Sequence, residues 1–139
     1  MPFDPVRLED TRSWFVKAGK DLRRAEVCLS PETADAEDAL FHCQQAVEKA
    51  VKGFLTRHDQ PFRKTHDLGR LGAQCVGLDT GLQALVARVE GLTEYAWKFR
   101  YPGAPYEPTL EEAQDALALA LAREAVDVIL SRLPEEVRP

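Results

Sequence analysis

The chain has 139 residues, a net charge of −5, 45% hydrophobic and 29% charged residues, which suits one domain with a sizeable core and is too apolar for a disordered chain. No segment approaches the ~18 uncharged apolar residues of a membrane span, and MPFDPVRLED lacks an apolar leader core, so a cytoplasmic protein is expected. Cys28, Cys43 and Cys75 are odd in number and widely spaced, which fits neither a disulfide framework nor a CxxC site and makes them small buried hydrophobes.

Helical periodicity dominates and no alternating run supports a strand. The expected fold is therefore all-α, an up-and-down antiparallel four-helix bundle with a short accessory helix. A first helix is expected over about 10–29, where Trp14, Phe15, Ala18, Leu22, Ala25 and Leu29 recur every three or four positions and Pro31 follows. A second, about 35–58, carries Ala39, Cys43, Ala46, Val47, Ala50, Val51 and Phe54 on one face, and His42, Gln45, Lys49, Lys52 and Thr56 on the opposite, polar stripe. The loop HDQPF then breaks the chain at Pro61. A short helix from near Asp67 to Cys75 is capped by Thr65 or Asp67 and weakened by Gly69 and Gly72.

A helix over about 80–100 buries Leu82, Leu85, Val86, Val89, Leu92 and Ala96, and it stops before the proline-rich YPGAPYEP. The last helix opens on TLEE, a capping box pairing Thr109 with Glu112, and continues through Leu117, Leu121, Val126, Ile129 and Leu133. Neither an internal repeat nor a domain linker is seen, so residues 1–139 read as one domain with a core of about 12–131.

Charge is uneven along this order. Residues 49–70 hold Lys49, Lys52, Arg57, Arg63, Lys64 and Arg70 against Asp59 and Asp67, a balance of +4 that leaves −9 elsewhere. The stretch FRKTHDLGRL, residues 62–71, is either a connection between helices or half of a site for an anion. His66 stands at an expected helix N-terminus, where backbone N–H groups favour anions; the alternative is a histidine bonded to a neighbouring loop. Tyr95, Trp97, Phe99, Tyr101 and Tyr106 crowd twelve residues beside Lys98 and Arg100, which suits base stacking with phosphate pairing, and equally a protein interface. If the second helix and the 80–100 helix run the same way, their C-terminal ends share one mouth and bring Lys64 and His66 near Arg100. His42 reads as a surface or interface histidine, and His58 as a helix C-terminal residue favouring the dipole.

No phosphate-cradling glycine loop, GxSxG elbow, HExxH or Cys/His pairing is present. No metal, no cofactor and no catalytic residue is therefore assigned.

The run ALFHCQQAVEKAVKGFL, then KTHDL, then KFRYPG resembles the prokaryotic HEPN domains, over about residues 12–131. The resemblance implies an antiparallel bundle that commonly forms a homodimer, often beside a separate minimal nucleotidyltransferase in a toxin–antitoxin-like pair. The chain is also similar to the helical domain of aminoglycoside nucleotidyltransferases. Many HEPN members are metal-independent ribonucleases whose signature is an Arg and a polar residue, then a His four to six positions after the Arg. Arg100 matches the arginine, but the four to six positions after it are Ala104, Pro105 and Tyr106. The group that would activate a 2′-hydroxyl is missing there, and Tyr106, with an ordinary pKa of ~10, is a poor base. The resemblance, with the +4 segment and the aromatic-rich loop after Arg100, points to a non-catalytic module that binds a nucleotide or phosphate ligand, with RNA also a possible ligand. Lys64 and Arg100 would contact phosphate, His66 would supply a hydrogen bond or a pH-sensitive charge, and Tyr101 or Tyr106 would stack on a base. The alternatives are a ribonuclease using Arg100 with His66 or Tyr106, and a purely structural interaction module.

Overall fold

The computed structural model describes residues 4–30, 32–33, 35–96 and 118–139, with 94–96 as backbone alone. Five α-helices appear among them: α1 (Pro5–Cys28), α2 (Ala36–Arg57), α3 (Leu68–Leu78), α4 (Gln83–Val89) and α5 (Ala118–Ser131). Turns of 3₁₀ helix flank α4 at Thr80–Leu82 and Glu90–Ala96, and a third follows α5 at Glu135–Val137. The described residues contain no strand, so the fold is the expected all-α bundle.

The first two helix starts have a local cause. Asp4 accepts hydrogen bonds from the backbone N–H of Val6 and Arg7 while Pro5 occupies the first helical position, a pairing that pre-sets the backbone and fills orphan donors. This Asp-Pro signal starts α1 five residues before the expected position. Asp35 caps α2 through Asp38 N–H, and Glu37 and Asp38 add negative charge to its first turn. The expected TLEE capping box lies outside the described residues, as do Arg100, Tyr101 and Tyr106.

Side-chain pairs fix the helix directions. Along α1, Arg7 pairs with Asp59, the Phe15 ring lies over Gly53, and Asp21 meets Lys49 and His42. Numbers rise on one helix as they fall on the other, so α1 and α2 are antiparallel. Arg123 meets Glu26, and Arg12 reaches the Glu136 carbonyl, so α5 also opposes α1. Arg88 with Glu124 and Arg132 with Asp79 set the 79–89 segment against α5. That segment therefore runs with α1 and against α2. The idea that α2 and the 80–100 helix end at one mouth is overturned: the end of α2 lies beside Asp79, where the later segment begins.

The 80–100 helix is also not one α-helix. Its α-helical part spans Gln83–Val89, and 90–96 tighten to 3₁₀ geometry. Gly91 and Thr93 have low helix propensity, and the Thr93 hydroxyl accepts from the N–H of Leu68, tying this turn to the start of α3.

Helix α2 is central: fourteen of its 22 residues are buried, on nearly every face. Its alanines at 46 and 50 join Ala18 and Ala25 of α1 and Ala122 and Ala125 of α5 in one core with Phe15, Leu40, Val47, Phe54 and Leu55. Small side chains allow close helix approach, and the large ones fill the remaining space. Cys43 and Cys75 are buried there and burial pushes their thiols up to about 12, as expected of small hydrophobes. No described helix is long and apolar enough to cross a membrane.

Gly53 marks a close approach of α1 and α2, because a Cβ there would lie 2.7 Å from the buried Phe15 ring. Gly53→Ala should destabilise by about 1–3 kcal/mol, the usual cost of overpacking. Gly77, in α3, has nothing within 4 Å of such a Cβ, so Gly77→Ala should stabilise by a few tenths to about 1 kcal/mol through helix propensity and chain entropy. Urea unfolding midpoints moving in opposite directions at unchanged m-value would verify both; equal midpoints would contradict this packing.

Candidate functional site

A reversal at the end of α2 brings the FRKTHDLGRL stretch back along the helix. His58 caps α2 and Asp59 takes a left-handed conformation, φ 56°. Asp59 N–H then donates to Thr56 O at 3.0 Å and Gln60 N–H to Leu55 O at 2.9 Å. This doubly bonded ending satisfies two orphan carbonyls, and aspartate tolerates the left-handed region better than most residues. The chain returns antiparallel to α2, which puts His66 level with Glu48.

Glu48 is the centre of the arrangement. Its side chain is only 4% exposed. Lys52 Nζ donates to Oε2 at 2.9 Å, while Gln44 Nε2 and His66 Nδ1 lie 3.0 and 2.7 Å from Oε1. Gln44 Nε2 also lies 3.2 Å from the His66 carbonyl, so it holds both the carboxylate and the returning backbone. The carboxylate accepts from a lysine and an amide, so the proton of the third contact belongs to His66 Nδ1. The ring is thereby fixed in orientation and tautomer, with Nε2 left on a side chain 60% exposed. Lys52 lies 5.8 Å from both the Trp14 and Phe62 ring centroids, and the two rings meet edge-on at 6.2 Å. Its charge thus has an aromatic wall as well as a carboxylate.

A second buried carboxylate repeats the pattern. Asp21, 2% exposed, accepts from Lys49 Nζ and lies 2.8 Å from His42 Nδ1. The stripe His42, Gln45, Lys49, Lys52 is therefore not a solvated face. Its two lysines and its histidine bind carboxylates inside the bundle, and Lys49 and Lys52 add little to an external basic patch.

Three cations remain outward. Arg63, Lys64 and Arg70 are exposed, and none has a side-chain ion pair among the described residues. Arg63 and Arg70 line an open groove of about 670 Å³, with Phe62 and Leu71 as apolar lining and Thr65 and Gln74 as polar lining. The start of α3 is less available than expected. Asp67 accepts from Arg70 N–H at 3.1 Å and Thr93 Oγ1 from Leu68 N–H at 2.9 Å, so an anion there would compete with two resident oxygens.

The expected binding residues thus divide. Lys64 and His66 lie together on the returning segment, beside the 90–93 turn that reaches Leu68. Arg100, Tyr101 and Tyr106 lie outside the described residues. Glu48, Gln44 and Asp21 are residues that reading the sequence does not single out. Their signal is Gln44, Glu48 and Lys52 at i, i+4 and i+8, a polar line on a helix otherwise rich in alanine and valine. His58 is apart from this group. Its ring tilts against Phe54 at 4.5 Å, and burial, then the Arg57 charge, lower its pKa from 6.5, against the pull of Asp79.

Glu48→Ala should cost about 3–5 kcal/mol, because it leaves the Lys52 ammonium buried without its partner. The double variant Glu48→Leu, Lys52→Leu should lose much less, since removing both charges avoids that penalty. Urea midpoints showing equal losses would contradict a paired burial. A further expectation concerns pH. With a folded pKa below 6.5, His58 is protonated more readily in the unfolded chain. Its contribution is complete above pH 6.5 and is lost as pH falls from 6.5 through the folded value. His58→Asn should make the decline in urea midpoint between about pH 7 and 5 shallower; an unchanged decline would refute this.

Against known proteins, the HEPN domain family model matches residues 11–129. The crystal structure of TT1696 from Thermus thermophilus is similar over 88% of this chain and 98% of that one, with a TM-score of 0.73 and 30% sequence identity. No curated protein matches the chain. With the bundle and its match over residues 11–129 in hand, the chain belongs to the HEPN domain family.

Proposed function

We propose that this HEPN chain is a non-catalytic module that binds a nucleotide or another phosphate ligand. In this reading it acts as a homodimer with a separate minimal nucleotidyltransferase, in a toxin–antitoxin-like pair. The observation that carries the reading is the groove beside His66. Arg63 and Arg70 line it beside Phe62, exposed and without carboxylate partners among the described residues, and the exposed Lys64 follows on the same segment. Guanidinium groups suit bidentate phosphate contact, and a neighbouring apolar wall suits a base. Lys64 and Arg100 contact phosphate, His66 makes a hydrogen bond to the ligand, and Tyr101 or Tyr106 stacks on the base. Calorimetric titration with ATP and GTP should give saturable heat, at least tenfold weaker in Lys64→Ala and Arg100→Ala. Absence of heat at millimolar nucleotide would sink the proposal.

One observation favours a second reading, ribonuclease activity. His66 is held through Nδ1 by a buried carboxylate and leaves Nε2 outward, which is how a general base is oriented. In that case RNA is cleaved in the presence of EDTA, and either Arg100→Ala or His66→Ala abolishes cleavage. Cleavage indifferent to both substitutions, or none by the wild type, removes this reading.

A further inference from the structure

A second groove, sharing no residue with the one beside His66, lies where the C-terminal half of α1 meets α2. Its volume is about 400 Å³, and Lys20, Arg23, Arg24, Val27, Cys28 and His42 line it. Positions 20, 23, 24 and 27 are spaced i, i+3, i+4 and i+7, so they form one stripe on α1. Lys20, Arg23 and Arg24 are exposed, and no carboxylate pairs with any of them among the described residues. Like charges at this spacing repel one another across a helix face. In a chain of net charge −5, three such cations gathered without a counter-ion form a surface that an anion would stabilise.

The histidine provides an independent observation. His42 Nδ1 lies 2.8 Å from Asp21, whose carboxylate is 2% exposed and also bound by Lys49. Asp21 therefore serves two partners, neutralising Lys49 and accepting from His42. Its bond to Nδ1 holds the His42 ring and leaves the Nε2 edge for the groove. The far end of the groove has a different character. Asp35, the cap of α2, and Asp38 of its first turn lie close enough to Cys28 to act on its thiol, and Val27 is 60% exposed. The three lining cations therefore stand at the Lys20–Arg24 end, while the Val27–Cys28 end borders carboxylates.

We propose that this groove is a second ligand site, for a small organic phosphate whose phosphate sits against Lys20, Arg23 and Arg24 and whose uncharged, apolar part lies toward Val27 and Cys28. His42 Nε2 faces the junction, where it bonds a hydroxyl or a phosphate oxygen of the ligand. A long polyanion fits less well, because its charge would continue past Cys28 into Asp35 and Asp38.

The test is an amide and histidine-ring NMR titration of the full chain with ADP and, separately, inorganic pyrophosphate. Saturable shifts are expected at residues 20–28 and at the His42 ring. ADP should bind more tightly than pyrophosphate, which lacks an apolar part. Arg23→Ala with Arg24→Ala, both at exposed positions, should weaken ADP at least tenfold at these residues. Arg63→Ala with Arg70→Ala should leave the same shifts unchanged, whether or not the groove beside His66 binds nucleotide. The proposal is overturned by no ADP shifts at 20–28 and 42, by equal ADP affinity in the Arg23/Arg24 variant, or by pyrophosphate binding as tightly as ADP.

Discussion

The buried carboxylate of Glu48 is the constraint on which the arrangement around α2 depends. A charge that is 4% exposed inside a helical bundle is tolerable only if donors surround it. The closest donors are Lys52 one turn on, Gln44 one turn back, and His66 eighteen residues later, with Gln45 at 3.5 Å beside them. The first two are local and cost little order beyond the helix itself. The third closes a loop, so Glu48 determines the course of residues 59–67 along α2. Phe62 is delivered to Trp14 by the same course, and Pro61 to the Gln74 side chain. Without the carboxylate, the Nδ1–H of His66 loses its acceptor, and the segment keeps only the Gln44 bond to the His66 carbonyl and those flanking contacts.

Asp21 applies the same logic at the other end of the α1–α2 pair, and together the two carboxylates sort the basic residues. Lysines 49 and 52 turn inward, where a flexible stem and a compact ammonium reach a buried oxygen. Arginines 23, 24, 63 and 70 stay outside, where planar guanidinium groups suit external anions. The +4 balance of residues 49–70 therefore overstates the external charge. Two of its six cations neutralise carboxylates, one of them Asp21 from a different helix. Among the described residues, Arg63 and Arg70 line one groove and Lys20, Arg23 and Arg24 another.

How far sequence could go follows from this. Helix identity is legible because apolar spacing and the Asp35 and Asp67 caps are local signals. The start of α1 is also local, in Asp4-Pro5, but the apolar run that betrays the helix begins only later. The breakdown of the 80–100 helix into 3₁₀ turns depends on a bond between Thr93 and Leu68, 25 residues apart, which no window of periodicity contains. His66 and Lys64 stand out by composition. Glu48 and Asp21 do not, because a carboxylate on a helix looks solvated until a second helix and a returning segment cover it. Their burial is a tertiary fact, and α2 has polar residues on a buried face only because the 59–67 segment lies over it.

Placement of His66 finally rests on a single backbone feature. Between Leu55, whose carbonyl accepts from Gln60, and Asp67, which caps α3, the chain must reverse and return to the level of Glu48. Asp59 in the left-handed region provides the reversal, and the paired bonds to Thr56 and Leu55 fix its angle. In extended chain each residue advances about 3.3 Å, so adding or removing one residue between 59 and 66 would move the imidazole by more than the length of its hydrogen bond to Glu48. Loop length is therefore as strict a requirement as the histidine itself. A chain of this family keeping His66 but changing that spacing would lose the oriented Nε2, and with it the chemical distinction between a held imidazole and an ordinary surface histidine.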